Sequence, residues 1–196
     1  MISWYKELGF MFKVRSYIFV PENIPDPDIL ESKGIIVVPS LKEKAIEVTN
    51  TDLLKKLDPY LDHRYLEGYI ELSYYDEPVL SEYYSDLIDQ LWDYLLNLTL
   101  EAIEHKESTY YFPDQPVRMN LKILQKGFVL FSIEDKNWCL PKKEFFLVLV
   151  QGFTEFYKQM ILGLSKETVT RYAYDKGYEQ AEEDRSVILD YLKKNV

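Results

Sequence analysis

The sequence predicts an α+β protein with an antiparallel sheet packed against a few long amphipathic helices. Three observations carry this. Residues 65–75 and 117–133 alternate apolar and polar side chains with the period of two of a half-buried strand. Residues 81–105 and 141–164 repeat apolar side chains at spacings of three and four, the period of a helix face. The order of elements is strands, a helix, a hairpin and then helices, without the regular βαβ alternation of a parallel sheet.

Residues 10–20 read as a strand, with Lys13, Arg15 and Tyr17 on one side and Phe12, Val14 and Ile18 on the other. Pro21 ends it, because proline cannot donate to a ladder. Residues 34–39, Gly-Ile-Ile-Val-Val-Pro, are a β-branched run that predicts a short buried strand, and residues 45–49 predict another. Thr51-Asp52 offers a cap for a helix ending near Pro59. In residues 65–75, Glu67, Tyr69, Glu71 and Ser73 face outward and Leu66, Gly68, Ile70 and Leu72 inward; Asp76-Glu77-Pro78 then reads as a turn. The long helix of residues 81–105 carries its stripe on Tyr84, Leu87, Ile88, Leu91, Leu95, Leu98, Ala102 and Ile103. Residues 108–116 predict a loop, and 117–124 with 128–133 a hairpin around Gln125-Lys126-Gly127, where Gly127 supplies positive φ. Residues 137–140 add a short strand. Pro141 opens a helix with a stripe of Phe145, Leu149, Phe153, Phe156, Met160 and Leu164, and a last helix covers residues 175–194. Residues 1–164 read as one domain, with 165–196 a helical segment packed on it or appended to it.

Charge is unevenly placed. Residues 65–105 hold ten carboxylates, seven of the 17 tyrosines and no Lys or Arg, while the remaining 155 residues carry 23 charges of each sign. The whole net charge of −10 comes from this block. A pI near 4.8, with no basic cluster longer than the pairs Lys55-Lys56, Lys142-Lys143 and Lys193-Lys194, argues against nucleic-acid binding through the protein's own surface. The apolar run at residues 145–150 continues into Gln151, Glu155 and Lys158, too polar for a membrane span. The first residues, Met-Ile-Ser-Trp-Tyr-Lys-Glu, lack the basic start and apolar core of a secretory signal. With a single cysteine, Cys139, which reads as a small core residue, the composition suits the cytoplasm.

On the predicted acidic helix Glu82, Asp86, Asp89 and Asp93 are spaced four, three and four, which lines them along one face, with Tyr83 and Trp92 on its flanks. Like charges at this spacing repel, so a sequence that keeps them has use for them. The expected use is docking of a basic protein partner, with the carboxylates imitating phosphate and Tyr83, Trp92 and the outward Tyr69 and Tyr74 as anchors. No cofactor and no catalytic residue is expected, since nucleophile elbows, phosphate loops, dinucleotide fingerprints and Cys-x-x-Cys are absent. An alternative is a metal-dependent or carboxylate-based hydrolase, for which Glu101, Glu104 and His105 are the nearest set. A further alternative is a general protein-interaction domain.

The acidic tyrosine-rich block, the helix around Leu91-Trp92, the Phe112-Pro-Asp-Gln-Pro116 loop, the hairpin and the Pro141-Lys-Lys-Glu-Phe-Phe146 helix together resemble bacterial immunity-type proteins. Those are small, acidic, cytoplasmic α+β proteins that neutralise toxins. The resemblance spans about residues 65–164 and implies a binding role, an inhibitor of a basic toxin enzyme such as a nuclease, with no catalytic residues to carry over.

Overall fold

The structure, a computed structural model, describes residues 11–195. Phe10, the start of the predicted first strand, and residues 1–7 lie outside them. The fold is α+β, with antiparallel sheets packed against long helices. One six-stranded sheet has the order β2-β3-β1-β4-β5, with β1 Phe12–Phe19, β2 Ile35–Val38, β3 Glu43–Glu47, β4 Glu67–Tyr74 and β5 Glu77–Leu80; β6, Asp86–Leu87, also pairs with β4. A second sheet has the order β10-β9-β8-β7, with β7 Glu107–Tyr111, β8 Arg118–Ile123, β9 Phe128–Ile133 and β10 Lys136–Pro141. The helices are α1 Pro27–Leu30, α2 Thr51–Leu57, α3 Ile88–His105, α4 Lys142–Gly163, α5 Lys166–Arg171 and α6 Tyr174–Lys194.

Helix α4 is the central post. It packs on β1, α2, α3 and α6, and its buried Phe145, Phe146, Phe153 and Phe156 join one continuous core. The C-terminal segment is part of that core through Val169, Tyr174, Ala181, Ile188 and Leu192. The face of β1 and β4 turned toward the helices carries Phe12, Ile18, Ile70 and Leu72. The opposite face holds a small second cluster of Tyr17, Val38, Ala45 and Tyr69.

Local chemistry sets several boundaries differently from the expectation. The cap of α2 is Asn50, whose side chain accepts from the Leu53 N–H at 3.2 Å. The β4–β5 turn is Tyr75-Asp76, both with positive φ (48° and 64°), the backbone of a two-residue hairpin. Glu77 and Pro78 therefore begin an edge strand, where proline is tolerated. Pro141 is the last residue of β10 as well as the cap of α4. Gly127 does take positive φ (79°) in the β8–β9 hairpin. Cys139 is exposed rather than buried. On a pleated strand it points away from Leu140, which is the side chain that reaches the core.

The strand at residues 34–39 exists as β2, but it is an edge strand and not a buried one: Ile36 is 40% and Val37 64% exposed. Lys44, opposite Val37, bonds toward β1 through its carbonyl, so Val37 turns its own N–H and C=O outward. The edge is nevertheless guarded. The Ile35 N–H is taken by the Ser32 carbonyl, and Pro39 has no N–H to offer.

Gly68 shows how tightly β1 and β4 meet. A Cβ there would lie 2.1 Å from the Tyr17 carbonyl oxygen, a backbone atom held in the ladder. Gly68→Ala is expected to destabilise the protein by about 1–3 kcal/mol, the range for overpacking. A lower urea midpoint at unchanged slope is the confirming result.

Candidate functional site

The structure separates the four carboxylates that the sequence aligned. Helix α3 begins at Ile88, so only Asp89 and Asp93 are on it. Glu82 sits in a single 3-10 turn, Glu82–Tyr84, and accepts from the Ser40 hydroxyl at 3.0 Å. Asp86 lies in β6 opposite Gly68 and is 6% exposed. Its carboxylate accepts from the N–H groups of Leu87 (2.6 Å) and Asp114 (3.1 Å), and the Gln115 side-chain amide donates to the Ser85 carbonyl. The Phe112–Pro116 loop is thereby fastened to the approach of α3, with Phe112 buried beneath it. The expected single acidic face fails because residues 86–87 spend their backbone groups on the β4 ladder, so the chain enters the helix later than its side-chain period suggests.

The anchors also divide. Tyr83 is 71% exposed, as an anchor requires. Trp92 is 0% exposed; its Nε1–H donates to the Ser16 hydroxyl at 2.9 Å, which makes it a core residue. Tyr69 is on the outer sheet face, yet it is buried by stacking on Tyr17 at 4.7 Å between ring centroids. Tyr74 is opposite Phe12 on the core side, with rings 4.8 Å apart, and is half-buried.

What the fold gathers instead is a cleft of about 450 Å³ between α3, α4 and the first half of α6. Asp89 and Asp93, one helical turn apart, come from the α3 wall, and Asp184 from the α6 wall; Tyr157, Tyr172 and Tyr174 add aromatic surface. The Tyr157 hydroxyl donates to Asp93 Oδ1 at 2.9 Å, and the Gln180 amide donates to Asp184 Oδ1 at 2.8 Å. Gly177 makes the close approach of α6 possible, since a Cβ there would lie 2.1 Å from the Tyr157 ring. Lys176 is the one cation among the lining residues. None of the ion pairs of the described residues includes Asp89, Asp93, Asp184 or Lys176.

Behind the cleft a buried polar chain ties α6 to the body. His63 Nδ1 is 3.1 Å from the Tyr174 hydroxyl and Nε2 is 3.1 Å from Asp58 Oδ1. Asp58 Oδ2 accepts the Ser165 N–H at 2.8 Å. A carboxylate only accepts, so Nε2 carries a proton, and in the neutral ring Nδ1 accepts from Tyr174. Burial alone would raise the Asp58 carboxyl. The bonds from Ser165 and Thr168, with the His63 ring, outweigh burial and hold it below the ordinary range.

The cleft carboxyls move the other way. Burial pushes Asp93 up to about 6; Tyr157's hydrogen bond opposes this, and the charges of Asp89 and Asp184 add to it. Burial also raises Asp89 and Asp184. Between pH ~4 and ~6 the folded protein therefore holds a proton on Asp93 that the unfolded chain, with an ordinary value near ~3.9, has released. The stabilisation present at the acid end is lost as pH rises through about 6. Asp93→Asn removes this loss, so the variant is expected to gain up to about 3 kcal/mol on wild type between pH ~4 and ~7. Urea unfolding of both proteins across that range checks it, and parallel pH profiles would refute the assignment.

The residues of the metal-based alternative are elsewhere. Glu101 and His105 are exposed at the far end of α3; Glu101 accepts the Tyr110 hydroxyl, and His105 lies 3.7 Å from Glu104. Among the described residues no three His, Cys, Asp or Glu side chains gather where they could hold an ion. No helix of the described residues is long and apolar enough to cross a membrane.

Sequence reasoning missed Asp58, His63, Tyr157, Tyr174 and Asp184. Tyr157 was accessible, because it follows Phe153 by four residues on the α4 stripe. His63 and Tyr174 are 111 residues apart, and no local spacing announces their meeting. In comparisons with known proteins, no family model, curated protein or solved structure matches the chain.

Proposed function

We propose that the protein is a non-catalytic acidic binding protein of the inhibitor or immunity kind, which neutralises a basic partner enzyme, such as a nuclease, in the bacterial cytoplasm. The observation that supports this best is the cleft. Three carboxylates from two helices line it without an ion pair, and burial works against their charge. A cation brought by a partner would supply the missing countercharge. The surrounding −10 charge would speed encounter with a basic surface. Exposed Tyr83 and half-buried Glu82 remain part of the surface such a partner would meet.

The test is capture from the native host with wild type and with Asp89→Asn/Asp93→Asn, followed by titration of the purified partner. The expected result is a basic protein whose activity wild type suppresses, whose affinity falls as ionic strength rises from ~0.05 to ~0.5 M, and which binds the variant more weakly. Equal affinity for both proteins, or a bound partner whose activity is untouched, would defeat the proposal.

A further inference from the structure

We infer that the cleft between α3, α4 and α6 is the seat for one guanidinium group, an arginine side chain presented by the protein partner. The inference rests on the partner reading above and names the chemistry by which the partner is held.

The size, the walls and the placement of charge argue for it. A space of about 450 Å³ is in the range that receives a small molecule or a long side chain rather than a folded element. Its carboxylates stand on different helices: Asp89 and Asp93 on α3, Asp184 on α6. An entering cation is therefore met from two sides. Asp93 and Asp184 each accept one side-chain hydrogen bond, on Oδ1, which leaves the second oxygen of each as an acceptor. A guanidinium offers five N–H donors in a plane, enough to bridge such groups. Its faces stack on aromatic rings, and Tyr172, the half-buried one of the three tyrosines lining the cleft, offers one, while Tyr157 and Tyr174 are buried behind it. Guanidinium is also more weakly hydrated than ammonium, so it loses less on entering an aromatic-walled cleft. A lysine ammonium is a compact, strongly hydrated charge that would use the carboxylates and gain less from the ring face than a planar guanidinium does. Lys176, the cation already lining the cleft, does not fill this role: it forms no ion pair with these carboxylates.

The experiment titrates the full chain with Nα-acetyl-arginine amide, Nα-acetyl-lysine amide and spermidine, followed by NMR shifts of the Asp carboxyl and Tyr ring signals. Wild type is compared with Asp93→Asn and with Tyr172→Leu, each checked for an unchanged spectrum away from the cleft. The expected result is a saturable shift confined to cleft residues, strongest with the arginine amide and weakened at least about tenfold in Asp93→Asn, the loss of one charge-assisted hydrogen bond. Tyr172→Leu is expected to reduce arginine binding by a larger factor than lysine binding, a difference that a merely structural role for the ring would not produce. No saturable shift, an equal response to the lysine amide, or tighter binding of spermidine would each overturn the guanidinium seat, the last by marking the cleft as a polyamine site. The broader reading fails separately: arginine amide binding to wild type, together with a captured partner indifferent to the double variant, would keep the seat and remove the partner from it.

Discussion

Replacing Trp92 with alanine is expected to lower the unfolding free energy by about 3–5 kcal/mol, the range for emptying a large buried aromatic site. The side chain is 0% exposed and reaches from α3 across the core to both sheet and helix. Its indole N–H donates to Ser16 on β1, itself 5% exposed, so truncation also leaves a buried hydroxyl without that partner. On the other side its ring meets Gly152 of α4 so closely that a Cβ there would lie 2.4 Å from the ring edge. The helix cannot easily collapse into the space, because β1 and α3 hold α4 from both flanks. Trp92→Phe separates the two contributions: it keeps much of the packing and removes the hydrogen bond, so it is expected to cost about 1–3 kcal/mol. Urea unfolding with an unchanged slope measures both. A cost below about 1 kcal/mol for the alanine variant would return Trp92 to the surface, where the sequence pattern had put it.

Asp58→Ala is expected to be damaging as well, by about 2–4 kcal/mol, since a buried donor left without its acceptor costs about 1–3 kcal/mol and a second hydrogen bond goes with it. Asp58 and His63 are 8% and 7% exposed. Removing the carboxylate deprives the ring of its acceptor and orphans the Ser165 N–H, which begins the turn into α5. The loss is expected to reach α6 as well, since its first residue, Tyr174, depends on the same ring. Amide hydrogen exchange would then quicken across residues 166–181 before the sheets respond. The pH dependence supplies a second readout. The folded carboxyl lies below its ordinary range, so its contribution is fully present above the unfolded value of ~3.9 and is lost as pH falls through the folded one. The difference between wild type and variant should stay level near neutrality and shrink in acid. This trend is opposite to that of Asp93, whose raised carboxyl disfavours the fold as pH rises. A variant that unfolds like wild type at neutral pH would show that the buried chain contributes nothing.

The period of two in residues 67–74 and 118–133 and the period of three to four in residues 88–105 and 142–163 identified strands and helices correctly. The reason is that one face of each is buried and the other is not. Boundaries failed where a neighbour in space supplied the deciding bond, as at Asp86-Leu87, drawn into β4's ladder although Leu87 and Ile88 continue the helical stripe. The candidate site was half legible. Asp89 and Asp93 were found by spacing; their setting was not, because the stripe that marks a buried helix face does not say which polar flank another helix will cover. Trp92 shows the converse. It is one position from Leu91 and lies between the predicted faces, and only the position of β1 and Gly152 makes its environment apolar.

By itself the sequence determined the fold class, the alternation and stripes of the main elements, the excess negative charge of residues 65–105 and the absence of a local catalytic signature. Those properties are local or additive along the chain. The tertiary structure alone decided which carboxylates line one cleft, Asp89 and Asp93 from α3 and Asp184 from α6, and that Asp58, His63 and Tyr174 form one buried chain. The physical reason is that burial and hydrogen bonding depend on distance in space. Packing α6 along α4 brings together residues about a hundred positions apart, and it is that packing which desolvates them and sets their protonation.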